Sequence, residues 1–152
     1  MSEHVAIIEW TSSATAADYV KGRYSRAHTW QFDGGVTVAG SPAPANVPAP
    51  WSDPAGVDPE EAFVAAVSSC HMLTFLYLAA KAGLAVASYR DEAVGVMTRG
   101  EGGVPWISTI RLAPRIAFAE RAPSPAELAE LHHAAHDGCF IARSIKTDVI
   151  VT

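Results

Sequence analysis

At 152 residues the chain has room for one domain with a substantial core, spanning residues 1–152, and not for two. About half of it is hydrophobic (49%), which separates it from disordered chains. A net charge of -5, with no basic stripe to neutralise phosphates, argues against nucleic acid as the main partner.

His4 to Trp10 alternates weakly and is expected to form a first strand. Ser12 to Asp18 is small and polar, a connection. Gly22 to Phe32 alternates more clearly, placing Tyr24, Arg26, His28, Trp30 and Phe32 on one face. Asp33-Gly34-Gly35 is a hairpin turn, and Val36 to Ala39 returns as a strand. The stretch Ser41 to Val57 is too rich in proline to pair in a sheet, so it reads as a semi-extended loop. It carries Trp51, an aromatic large enough to serve as a lid.

The sequence Asp58 to Gly83 reads as one long helix. Asp58 is a good N-cap, Pro59 suits the first helical position, and Glu61 completes a capping box. Gly83 closes the helix, with Lys81 in its last turn. No charge falls between Glu61 and Lys81, so burial nearly all round is expected. The apolar run approaches spanning length, but Ser68-Ser69-Cys70-His71 interrupts it and no Lys/Arg cluster flanks it, so no membrane association is expected. The N-terminus has no basic n-region, which favours the cytoplasm.

Beyond the helix, Tyr89 to Arg99 is expected as a strand, Gly100 to Gly103 as a turn, and Val104 to Leu112 as the return. Arg115 to Ala119 either continues past Pro114 or begins another strand. Ser124-Pro125-Ala126-Glu127 starts a second capped helix running to about Asp137, and Ile145 to Val151 closes the chain as a strand. Strands, long helix, strands, helix and strand with hairpin links make an α+β fold, not a doubly wound parallel sheet.

Cys70 is the first residue to explain. The plainer reading is a small hydrophobe in a packed helix. A reactive thiol needs its thiolate stabilised by a cation or by hydrogen-bond donors. Arg23 and Arg26 are the candidate cations, with His71 and His28 weaker. A second cluster, His132, His133, His136 and Cys139, has spacing that would suit a transition metal. It lacks a second CxxC or a carboxylate pair, and exposed histidines near a helix C-terminus are the plainer reading.

Asp58-Pro59-Glu60-Glu61, Cys70 ten residues after Glu60, and Ala135-His136-x-x-Cys139 together resemble the OsmC/Ohr family, the osmotically induced and organic hydroperoxide resistance proteins. The resemblance runs from the first hairpin to the last strand. It implies an OsmC-like fold, antiparallel sheets around a long buried central helix, and an intertwined homodimer. By the resemblance, Cys70 is the peroxidatic cysteine, Cys139 the resolving one, and Glu60 the acid paired with an active-site arginine. The segment KGRYSRAHTW does not align cleanly with the family's usual loop. Arg26 is preferred to Arg23 because it shares a face with the inward aromatics. Two further departures mark a divergent member: His71 stands where an aromatic is usual, and Phe140-Ile141-Ala142 follows the second cysteine.

What the resemblance implies is a thiol peroxidase acting on small-molecule hydroperoxides, with no bound cofactor and an external, lipoyl-type dithiol as reductant. Ten residues of helix span roughly 15 Å, so Glu60 does not reach Cys70 along a continuous helix. Either the first turns unwind or Glu60 and the arginine come from the partner subunit; the second is preferred. The alternatives are a non-catalytic dimer that binds a small ligand in an apolar cleft, a metal protein, and a Cys-His hydrolase. The last is disfavoured, because helix neighbours such as Cys70 and His71 point about 100° apart.

Overall fold

A short antiparallel meander begins the chain. Strand β1 (Ala6–Glu9) pairs with β2 (His28–Phe32), and β2 pairs with β3 (Thr37–Gly40), with Trp30 opposite both Ile8 and Val38. The computed structural model describes residues 2–152, which fall into two units, Met1–Ala62 and Phe63–Thr152. In the first unit the β2–β3 turn needs Gly35, whose φ of 83° is left-handed.

Two expectations for this unit change. The polar connection before β2 contains a one-turn helix, α1 (Ala16–Tyr19), capped by Thr15 accepting from the Asp18 amide. The strand expected from Gly22 starts only at His28, because the chain turns back after α1 through bonds to the Asp18 and Tyr19 carbonyls. Arg26 gives its amide to the Trp51 carbonyl instead of to a strand ladder. The proline-rich loop is tied down at its base, where the buried Ser41 hydroxyl accepts from the Asp53 amide at 2.8 Å.

Helix α2 (Pro59–Lys81) opens with the expected reciprocal cap. The Glu61 amide donates to Asp58 at 2.7 Å, and the Asp58 amide donates back to Glu61. It closes at Gly83 (φ 72°) with the Leu84 amide reaching the Ala79 carbonyl, a Schellman ending with Leu84 buried.

In the second unit α2 buries one stripe, Val67, His71, Phe75 and Ala79, at intervals of four. The opposite face is open: Leu73 and Tyr77 are 61% and 62% exposed. Within one chain, then, the helix does not reach the all-round burial its composition led us to expect.

The expected strand from Tyr89 to Arg99 is two strands in different sheets, β4 (Val86–Asp91) and β5 (Val94–Arg99). The return is split at the same level into β6 (Pro105–Leu112) and β7 (Pro114–Phe118). β4 pairs with β7, and β5 pairs with β6. Chemistry fixes the break. Pro114 has no amide proton, and the Asp91 carboxylate takes the Ala113 amide at 2.7 Å while also accepting from Ser68.

After helix α3 (Pro125–Gly138), capped by Ser124 and Glu127, strand β8 (Asp148–Val151) joins the β5–β6 sheet beside β6. That pairing is parallel, which corrects the expectation of wholly antiparallel sheets. A parallel neighbour needs a crossover, and α3 lies within it.

Two apolar clusters hold this unit. Val67, Ile110 and Leu112 form one, with Phe63 and Val149 packed on it. Phe75, Ala79, Leu84 and Ala135 form the other, with Leu128 and Leu131. Each buried Leu, Ile or Phe contributes about 1.5–3 kcal/mol. Along α2 the first cluster is served by Val67 and the second by Phe75, and His71 sits between them.

Candidate active site

The end of α3 comes down on the middle of α2. A side chain at Gly138 would place its Cβ 2.9 Å from the Thr74 methyl, so only glycine permits this approach. The next residue, Cys139, is buried, and Cys70 is near enough to perturb its thiol. Both are free thiols, Cys70 being half-buried. Burial first, then the contact with Cys70, raises the Cys139 thiol to about 11, against donation from the Ala142 amide at 3.3 Å. Cys139 is therefore a neutral thiol at physiological pH.

The histidines are not the exposed set expected. Of the three, His133 alone faces outward, its Nε2 3.4 Å from an Asp137 carboxylate oxygen. His132 lies half-buried against α2, where its Nδ1 is 3.1 Å from His71 Nε2 and the two rings are nearly parallel, 11° apart. His132 also stacks on Phe75 at 4.6 Å. His71 is 1% exposed, and among the described residues its Nδ1 has no hydrogen-bond partner; nor does Nδ1 of His136 or the Tyr89 hydroxyl. Burial, with His132 and His136 adding to it and Asp91 opposing, lowers His71 to about 4. Burial lowers His132 too, again against Asp91.

His71 is thus neutral near pH 7 and supplies no cation to Cys70. Among the described residues no three His, Cys, Asp or Glu side chains converge as a metal site.

In the first unit, Arg26 lines a cavity of about 410 Å³ together with Trp10, Tyr19, Tyr24 and His28. Tyr24, Arg26 and His28 all face it, as their alternation suggested, although only His28 is in a strand. The guanidinium lies over the Tyr24 ring at 4.1 Å and donates to the Tyr24 carbonyl. Among the described residues it has no carboxylate partner. Arg23 does not line the cavity. Glu60 accepts from Asn46 at 3.4 Å, so the expected Arg26–Glu60 pair is not formed within the chain. Nor is Trp51, expected as a lid, part of the cavity wall. Because α2 is continuous from Pro59, the unwinding that would carry Glu60 toward Cys70 does not occur.

Sequence reasoning missed the His71–His132 contact and the Asp91 bond to Ser68. Their signals were available: His71 on the buried stripe of α2 and the part-buried Ser68 beside it require partners, and His132 and Asp91 are the polar groups that meet them.

Residues 52–152 match the family described as OsmC-like protein. An OsmC-like protein of unknown function from Vibrio cholerae is 46% identical, with a TM-score of 0.94 over 100% of this chain and 99% of its own. An organic hydroperoxide resistance protein from Elizabethkingia anophelis shares 16% identity and a TM-score of 0.68, over 99% and 93% of the two chains. Another, from Legionella pneumophila, shares 12% and 0.65, over 100% and 95%. At such identities the last two show the fold alone. No curated protein matches the chain.

Proposed function

Because the chain belongs to the OsmC-like family, we propose that it is a thiol-dependent peroxidase that reduces organic hydroperoxides, with Cys70 as the attacking residue and Cys139 as the resolving one. One observation carries this reading: the end of α3, packed on α2 where Gly138 meets Thr74, seats the buried Cys139 beside Cys70. The Cys70 thiolate attacks the outer peroxide oxygen. An S–O bond forms as the O–O bond breaks, and the alkoxide takes a proton and leaves as the alcohol. Cys139 sulfur then attacks the sulfenic sulfur, S–S replaces S–O, and the hydroxyl leaves as water with the Cys139 proton. An external lipoyl-type dithiol returns both residues to thiols.

The cation for this chemistry is Arg26, supplied by a second copy of the chain. Glu60 of that copy orients it once the dimer assembles, which makes the homodimer necessary for turnover. The open Leu73–Tyr77 face of α2 supports association, being apolar and unpartnered within one chain. The aromatic cavity beside Arg26 accommodates the organic body of a hydroperoxide. The cytoplasm is the compartment in which free Cys70 and Cys139 are kept reduced between cycles.

The test is mass spectrometry of alkylated protein before and after one equivalent of cumene hydroperoxide. The expected result is a Cys70–Cys139 disulfide within one chain, and a sulfenic acid on Cys70 in the Cys139→Ser variant. Unmodified thiols and unconsumed peroxide would refute it.

A second reading, a non-catalytic ligand-binding dimer, is favoured by the roughly 410 Å³ cavity alone. It requires Cys70→Ser to behave as wild type toward peroxide.

A further inference from the structure

We infer that His71 and His132 form a lock that holds Cys139 against Cys70, and that the lock opens when His132 takes up a proton. The use of this lock in turnover rests on the two-cysteine reading above; its existence does not.

Helix α2 supplies Cys70 and His71 at adjacent positions. Helix α3 supplies His132 seven residues before Cys139. Among the described residues, His71–His132 is the one side-chain hydrogen bond from α2 to α3. The remaining contacts are apolar or steric, through Phe75, Ala135 and the Gly138–Thr74 approach. The polar contact therefore sets where α3 sits along α2, and with it the position of Cys139.

The proton positions follow from what is unpartnered. A buried N–H without an acceptor is costlier and rarer than an acceptor without a donor. With His71 Nδ1 buried and unpartnered, the His71 proton belongs on Nε2, donating to His132 Nδ1. A further proton on His132 must then occupy that same Nδ1, and two N–H groups meet at 3.1 Å. If His71 switches tautomer to accept, it strands an N–H in the core. Either way the contact is lost.

The groups facing the pair bear on this. From α3 they are His132 itself and His136; from β4 they are Tyr89 and Asp91; on α2 they are Ser68, which donates to Asp91, and Phe75. Asp91 attracts the proton, and burial and the neighbouring imidazoles repel it. His71 and His132 are positioning residues, since neither touches a reacting atom.

The test is a thiol–disulfide equilibrium with dithiothreitol, in which the protein dithiol is oxidised as cyclic dithiothreitol is reduced. It needs no peroxidase activity. The Cys70–Cys139 disulfide is quantified by alkylation and mass spectrometry at neutral pH and at about pH 5, the lower pH chosen below the ordinary imidazole range.

His132→Leu is expected to lower the constant for disulfide formation about tenfold, the worth of one hydrogen bond. His132→Asn, whose side-chain oxygen replaces Nδ1 as acceptor, restores most of it. His133→Leu, on the outward face, matches wild type. Acidification lowers the constant in wild type and leaves His132→Asn nearly unchanged. Equality of His132→Leu and His132→Asn in folded protein overturns the inference. If His132→Leu does not fold, the acid comparison between wild type and His132→Asn decides. A His132-dependent equilibrium in a protein that consumes no cumene hydroperoxide upholds the lock and overturns the peroxidase.

Discussion

Acid should unfold this protein through His71, and the size of the effect can be worked out. In the unfolded chain the imidazole has its ordinary pKa of 6.5; in the fold, burial brings it to about 4. Between those values the unfolded state binds a proton that the folded state excludes, so stability falls as pH falls. The loss is absent above about 6.5, accumulates as pH falls to about 4, and stays at its full value below that. The drop from 6.5 to about 4, at roughly 1.4 kcal/mol for each tenfold change in proton affinity, gives about 3.5 kcal/mol. That is a large share of the 5–15 kcal/mol typical of a domain.

Urea denaturation at pH values across the window, on wild type and His71→Phe, measures it. Carboxylates also titrate toward the acid end, so the difference between the two proteins isolates the histidine. Wild type should lose about 3.5 kcal/mol more than His71→Phe over the window. Equal acid slopes in the two proteins would refute the reasoning, because they would mean that His71 reaches a proton without opening the core.

Gly138→Ala should cost about 1–3 kcal/mol through the clash with the Thr74 methyl, despite alanine's better helix propensity. Thr74→Ser removes that methyl and keeps the hydroxyl bonded to the Cys70 carbonyl, so thermal melts of the double variant should show recovery. Asp91→Ala strands the Ala113 amide and the Ser68 hydroxyl, and should lower stability by about 2–3 kcal/mol in urea titration. Ser124→Ala removes half of a capping box and should cost about 1 kcal/mol on the same assay. Arg26→Ala should slow Cys70 oxidation by cumene hydroperoxide about a hundredfold in stopped flow, with protein stability little changed. An unaltered rate would remove Arg26 from the reaction.

Much of the fold was legible because its signals are local. Asp58 with Glu61, and Ser124 with Glu127, mark both long helices by chemistry that acts over four residues. Gly83 ends α2 for an equally local reason. What was not legible depends on groups far apart in sequence. The division of a strand at Asp91 follows from the Ala113 amide and Ser68, each more than twenty residues away. The parallel seat of β8 depends on a sheet edge built by β6.

At the site, Cys70 and Cys139 stood out by residue type and spacing. His71 and His132, 61 residues apart, were each singled out for other roles, and only the packing of two helices makes them one feature. The uncharged length of α2 suggested total burial, but a helix shows its composition and not how many neighbours it has.

The parallel edge between β6 and β8 has a consequence for the newly made chain. Thr109 pairs with Asp148, 39 residues later, so during synthesis the β5–β6 hairpin is complete while one side of β6 is still bare. At about 5–20 residues per second, the missing strand emerges roughly 2–8 s afterwards. For that interval Ile110 and Leu112 lack the cover that Val149 and Val151 later give them, and the amides of β6 are open to any passing strand. Cys139 lies inside the same 39 residues. The segment that protects the nascent sheet from aggregation is therefore also the one that carries the second thiol to the first.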